Sequence, residues 1–145
     1  MSRYEKLNVN ELRAKKIILD RGDNLSKTMV LEALKATINY NVADPYTVSM
    51  GILPAGAELV ATIVDVQTAF NAGTTNVLVV GTSGDDDAYV AAGDVDETSA
   101  GVTIVSGKGK SVSADTEVFV KYTQTGTAAT AGKAVVTMLY VRPRS

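Results

Sequence analysis

Between Ile52 and Asp87, apolar and polar residues alternate in two runs. In the first run Val60, Thr62, Val64, Val66, Thr68 and Phe70 share one phase. Leu59, Ala61, Ile63, Asp65 and Gln67 share the other. In the second run Val77 and Val79 alternate with Leu78 and Val80, and Gly81-Thr82-Ser83-Gly84 closes it. A repeat of two is that of a pleated strand, whose successive side chains point to opposite faces. The link Asn71-Ala72-Gly73-Thr74-Thr75 is short, polar and glycine-bearing, so the pattern predicts an antiparallel hairpin.

The same period recurs along the rest of the chain. Met29 to Ala36 would also suit a helix, but Leu34, Ala36, Ile38 and Tyr40 alternate with Lys35, Thr37 and Asn39, which favours a strand. Tyr46 to Leu53 is a second strand, entered through Pro45 and ended by the turn Pro54-Ala55-Gly56. Val102 to Val105 is a short strand, and Lys108 to Val112 is expected to pair nearby across Gly107-Lys108-Gly109. Glu117 to Thr123 and Lys133 to Arg142 complete the set, joined by the small-residue loop from Thr123 to Gly132. Seven to nine short strands with glycine-rich links predict an all-β fold. We read it as an antiparallel β-sandwich, with jelly-roll topology as a subtype.

The first residues break this pattern. They lack strand alternation and carry one apolar patch, Ile17-Ile18-Leu19. Residues 1–26 therefore read as an extended N-terminal arm that needs a partner surface to become ordered, and 27–145 as the β-sandwich domain. Charge divides along the same line. Residues 1–30 hold seven basic side chains against four acids, whereas residues 81–99 hold six acids and no base.

Composition removes most chemistry. The 145 residues suit a single domain burying roughly 68–70% of its unfolded surface. Apolar content of 46% is globular, and a net charge of -2 steers the chain toward no particular partner. Histidine, cysteine and tryptophan are absent, which excludes Ser-His-Asp and Cys-His catalysis, disulfides, thiolate zinc sites and haem held by His. The opening MSRYEKLNVNELRAKK has no apolar h-region, so no secretory signal is expected. No window approaches about 18 uninterrupted apolar residues, so no membrane span is expected.

Five features invite a functional reading. Asp85-Asp86-Asp87, with Asp94, Asp96 and Glu97 nearby, offers hard oxygen ligands suited to calcium. It lacks the alternate-position order and glycine of an EF-hand loop, so a solvated acidic turn is the simpler reading and no metal site is assigned. Gly107-Lys108-Gly109-Lys110-Ser111 has no glycine four residues before its Gly-Lys-Ser and no helix pattern after it, so it reads as a β-turn. Arg21-Gly22-Asp23 matches the integrin tripeptide only as any three residues match by chance, and reads as a turn. Tyr46, Tyr89, Tyr122 and Tyr140 would suit a sugar-binding face, but Tyr122 and Tyr140 sit in alternating strands and read as core or interface anchors. The basic residues of the arm are diluted by Glu5 and Glu11 and lack stacking aromatics, so nucleic acid is not an expected partner.

A resemblance narrows the choice. The succession LPAGA, TAFNAGTT, VGTSGDDDAYV, GDVDETSAG and TGTAATAGKAVVTMLYV, from about Ile52 to Val141, resembles small structural proteins of tailed bacteriophages. It is similar to capsid decoration, or cement, proteins. The resemblance implies a homotrimeric β-sandwich on the outer surface of the virion head, clamping major capsid protein and made in the host cytoplasm. It implies no enzyme activity, no cofactor and no catalytic residue. The arm would supply the grip, with Ile17, Ile18 and Leu19 docking on a neighbour and Lys15, Lys16 and Arg21 supporting them. Two other readings stay open: a tail or head-tail connector protein, and a host-glycan-binding β-sandwich module.

Overall fold

The structure, a computed structural model, describes residues 29–143. Seven strands follow one another: β1 Met29–Asn39, β2 Thr47–Leu53, β3 Glu58–Thr68, β4 Thr75–Gly81, β5 Gly101–Ser106, β6 Thr116–Thr125 and β7 Lys133–Pro143. They form two antiparallel sheets, one ordered β1-β7-β3-β5 and the other β2-β6-β4. No helix occurs among the described residues. The expected β-sandwich is the fold observed, and the ambiguous segment after Thr28 is a strand. The predicted arm, 1–26, lies outside the described residues.

Alternation sets which side chains meet between the sheets. Ala134, Val136, Met138 and Tyr140 of β7 and Thr62, Val64 and Val66 of β3 point inward from the four-stranded sheet. Val118, Val120 and Tyr122 of β6, with Leu78 and Val80 of β4, meet them from the three-stranded sheet. Burying a Val, Leu or Phe side chain is worth about 1.5–3 kcal/mol, so this layer of β-branched and aromatic groups dominates the stability of the fold. In β3 the register against β7 shifts twice, between Leu59 and Ala61 and between Val66 and Thr68. Thr68, expected in phase with the core, is exposed. A bulge between Leu59 and Ala61 lets Leu59 and Thr62 both face the core, while Val60 is turned out to solvent.

The predicted hairpin is not formed. β3 and β4 lie in different sheets, β3 between β7 and β5, and β4 on the edge beside β6. Both lateral sides of β3 are therefore already hydrogen-bonded, and its short link becomes a crossover between layers. The link is pinned where it crosses. Phe70 drops into the core, its ring centroid 4.6 Å from that of Tyr122. The Tyr122 hydroxyl donates to Asn76 Oδ1 at 2.7 Å, and the same oxygen accepts from Ala72 N–H at 2.9 Å. Gly73 N–H donates to the Thr127 carbonyl, and Asn71 Oδ1 accepts from the N–H groups of Thr130 and Ala131. The small-residue loop after β6 thus holds the crossover in place.

The strand expected at Lys108 to Val112 is reduced to one bridge, Glu58 with Ser111. Backbone bonds from Leu59 N–H to Lys110 and from Gly56 N–H to Val112 tie this segment along the start of β3. The segment stops there because Lys108 and Gly109 both take positive φ, 52° and 67°. Positive φ at both central residues defines a tight turn of the type that reverses a chain within two residues.

Candidate interaction surface

The six acids that look alike in the sequence fall into separate roles. Asp94 and Asp96 fasten their own loop: Asp94 accepts from Ala91 N–H, and Asp96 accepts from the N–H and hydroxyl of Thr98. Those Thr98 bonds hold the Asp96 carboxyl below the usual aspartate range. Asp85, Asp86 and Asp87 are exposed, with carboxylate oxygens within 4.8 Å of one another. Asp86 is paired with Lys121 Nζ of β6 at 2.9 Å. A hydrogen bond with Asp85 raises Asp87 above the ordinary aspartate value, because one shared proton relieves two like charges. These three are the described carboxylates best arranged to hold a cation, and their full exposure is equally that of a solvated turn.

Glu97 differs from the other five in being buried. Its Oε2 accepts from Leu78 N–H at 2.9 Å, on the side of β4 that has no strand partner, and its carbonyl accepts from Phe70 N–H. One residue therefore ties the β4 edge to the crossover. Desolvation, the largest effect on it, raises the Glu97 carboxyl above its usual value near 4.5, and the Leu78 bond opposes part of that rise. The folded chain then holds this proton more tightly than the unfolded chain does. The contribution to stability is full below about pH 4.5 and is lost as pH rises through the folded value. We expect Glu97→Gln to flatten that pH dependence, because the amide oxygen still accepts from Leu78. Glu97→Ala should cost about 1–3 kcal/mol by leaving that buried N–H unpaired. Thermal unfolding from pH 4 to pH 8 reads both effects.

The glycine-lysine segment is a turn, as expected, closed by Lys110 N–H donating to the Gly107 carbonyl. Lys110 Nζ donates to the Ala88 carbonyl and lies 5.9 Å from the Tyr89 ring centre. Of the four tyrosines, Tyr122 and Tyr140 are buried as expected of core anchors, Tyr89 is half-buried and Tyr46 is exposed. The arm residues Lys15, Lys16, Ile17, Ile18, Leu19 and Arg21 lie outside the described residues.

The surface that strand patterning did not single out is the outer face of the four-stranded sheet. Cross-strand register arranges it in rows: Val102, Asp65 and Val135; then Ile104, Ile63 and Thr137; then Ser106, Ala61 and Leu139. Leu31 on β1 and Val60 at the bulge extend it. Val102 is 62% exposed, Leu31 63% and Ile104 68%, far from the core burial typical of such residues. β5 is also an edge strand. Nothing among the described residues pairs with its far side, and its sequence Gly-Val-Thr-Ile-Val-Ser has no charge or proline to guard that side. The signal in the sequence was apolar residues in both phases of β3 and β5, which marks a strand with two apolar faces.

No family model and no curated protein matches the chain. Among solved structures it is similar to a chain of the cyanophage Pam1 capsid asymmetric unit, at 19% identity and a TM-score of 0.59, covering 81% of this chain and 87% of that one. It is also similar to a chain of the acidic stable capsid structure of Helicobacter pylori bacteriophage KHP30, at 21% identity and a TM-score of 0.58, covering 81% and 94%. At these identities the likeness defines a shared sandwich fold.

Proposed function

We propose that this chain is a phage head decoration protein, bound to the outer surface of the capsid and stabilising the lattice of major capsid protein. The observation that carries this reading is the fold likeness: both similar structures are phage capsids, and each match spans nearly all of the other chain. The phage-like succession of turns from about Ile52 to Val141 supports it independently. So does an apolar outer sheet face of the kind that marks protein contact sites.

The action is binding alone. A protein that binds the assembled lattice and not its dissociated subunits stabilises the lattice by mass action, through differential affinity. Residues 1–26 act as an arm, with Ile17, Ile18 and Leu19 docking on a neighbouring subunit beside Lys15, Lys16 and Arg21. The sandwich of 27–145 assembles with copies of itself, as a homotrimer, so that several weak contacts act together. Cryo-electron microscopy of particles carrying the protein, with copies counted against major capsid protein, tests this reading. Density at threefold or quasi-threefold positions over the whole shell is the expected result. Density confined to one vertex or the tail would make it a connector or tail protein.

A further inference from the structure

We propose that the cleft on the outer face of the three-stranded sheet, floored by Phe119 and Lys121 of β6, binds a neutral sugar ring of a glycan. The inference goes beyond the decoration reading and does not rest on it, because the site lies within one chain.

The cleft has a volume of about 560 Å³, within the range of small-molecule sites. Cross-strand register builds its floor. Thr47, Lys121 and Val79 form one row, and Ser49, Phe119 and Gly81 form the next. Residues paired across a sheet share a face. Gly81 has no side chain, and the loop after it uses that space, since a Cβ there would strike the Asp85 carbonyl. The loop therefore lies down on the outer face and forms one wall. It is closed on itself by Thr82 N–H donating to the Asp85 carbonyl at 2.8 Å. Pro45 and Thr47 form the opposite wall, and the Tyr46 carbonyl between them accepts from Tyr122 N–H at 3.1 Å. Backbone bonds fix both walls, so the cleft is preformed and binding costs little ordering entropy.

The lining selects the class of ligand. A sugar ring offers an apolar C–H face and a rim of hydroxyls, each both donor and acceptor. Phe119 supplies the matching apolar surface: Phe70 and Tyr122 are taken up by the core, whereas Phe119 faces the cleft and is half-buried. Lys121 Nζ and Asp86 Oδ2 stand 2.9 Å apart, a donor and an acceptor side by side. That pairing suits two adjacent hydroxyls of one ring. Each partner keeps further bonding capacity, because an ammonium has three donors and a carboxylate two oxygens. Charge argues against acidic sugars and phosphates, since Asp85 and Asp86 outweigh Lys121 in the lining. A basic ligand is disfavoured as well, because Lys121 is already paired with Asp86. One such open site binds a single ring weakly, and many copies on one particle gain avidity.

Amide NMR of the isotope-labelled full-length chain tests the proposal, by titration with a panel of neutral hexose, deoxyhexose and N-acetylhexosamine trisaccharides. At least one is expected to bind, shifting the amides of Thr82 to Asp86 and of Phe119 to Lys121. Phe119→Ala and Lys121→Gln should each weaken that binding at least about tenfold, and Phe119→Tyr, which keeps the ring, should retain it. Lys121→Gln tests the site independently of any loss of stability in Phe119→Ala. Ile104→Thr, at an exposed position on the other sheet, should leave binding intact. Failure of every member of the panel to bind would overturn the proposal. So would binding indifferent to both Phe119→Ala and Lys121→Gln, or tighter binding at these amides of a sialylated sugar, a phosphorylated sugar or a lysine-rich peptide. A chain that binds sugar here but is absent from the head would sink the decoration reading alone. A chain that coats particles and binds no sugar would sink this inference alone.

Discussion

Phe70→Ala is expected to lower the unfolding free energy by about 3–5 kcal/mol, the range for removing a large aromatic from a packed interior. The ring is almost wholly buried, and its contact with Tyr122 links the crossover to the middle of β6. Two costs combine there. Apolar transfer is lost, and a cavity opens at a place where the chain cannot collapse. Collapse is prevented because the flanking link is hydrogen-bonded on both sides, from Phe70 N–H to Glu97 and from Gly73 N–H to Thr127. Urea or guanidinium unfolding followed by far-UV circular dichroism measures the effect as a lower midpoint at unchanged slope. A loss below about 1 kcal/mol would mean that the ring does not hold the two sheets together.

Gly132→Ala is the second large effect, and it tests the same contact from the other side. A Cβ at position 132 would lie 2.2 Å from Phe70 Cδ2 and 2.6 Å from its Cγ, far inside van der Waals contact. The residue also has a φ of +150°, a conformation that side-chain-bearing residues rarely adopt. Its carbonyl accepts from Tyr40 N–H at 3.0 Å, so the backbone is not free to retreat. Overpacking of this kind costs about 1–3 kcal/mol, with the strained φ adding about 1–3 more. In the Phe70→Ala background the clash disappears and only the backbone component remains. The double variant should therefore be more stable than the sum of the singles predicts, by about 1 kcal/mol or more. Strict additivity would show that residue 132 and the ring do not meet.

The failure of the hairpin expectation has a specific cause. Alternation in Leu59 to Phe70 reports which face each side chain takes, and those faces are as read apart from Leu59 and Val60 at the first register shift and Thr68, exposed, at the second. Alternation carries no information about which neighbour a strand bonds to sideways. Short links usually join bonded neighbours, so Asn71 to Thr75 suggested pairing. Phe70, in phase with the buried side of β3, instead continues into the core and carries the chain across to the other sheet.

The acids show the same boundary. Asp85 and Glu97 both follow strand-like runs in a polar, glycine-rich stretch, and nothing in their local sequence separates them. One is exposed beside two other carboxylates, and the other is buried against the unpaired side of β4. The exposed apolar face has a similar history. Apolar residues in both phases of β3 and β5 were visible, but which phase would be covered depends on where the second sheet lies.

The sequence by itself determined the class of fold, the approximate positions of the seven strands and the exclusion of histidine and thiol chemistry, because period, turn residues and composition are local properties. Only the tertiary structure decided which strands share a sheet, which carboxylate is buried and which apolar face is left open. Those depend on lateral hydrogen bonds and on contacts between residues distant in the chain, whose pairing the local pattern does not record.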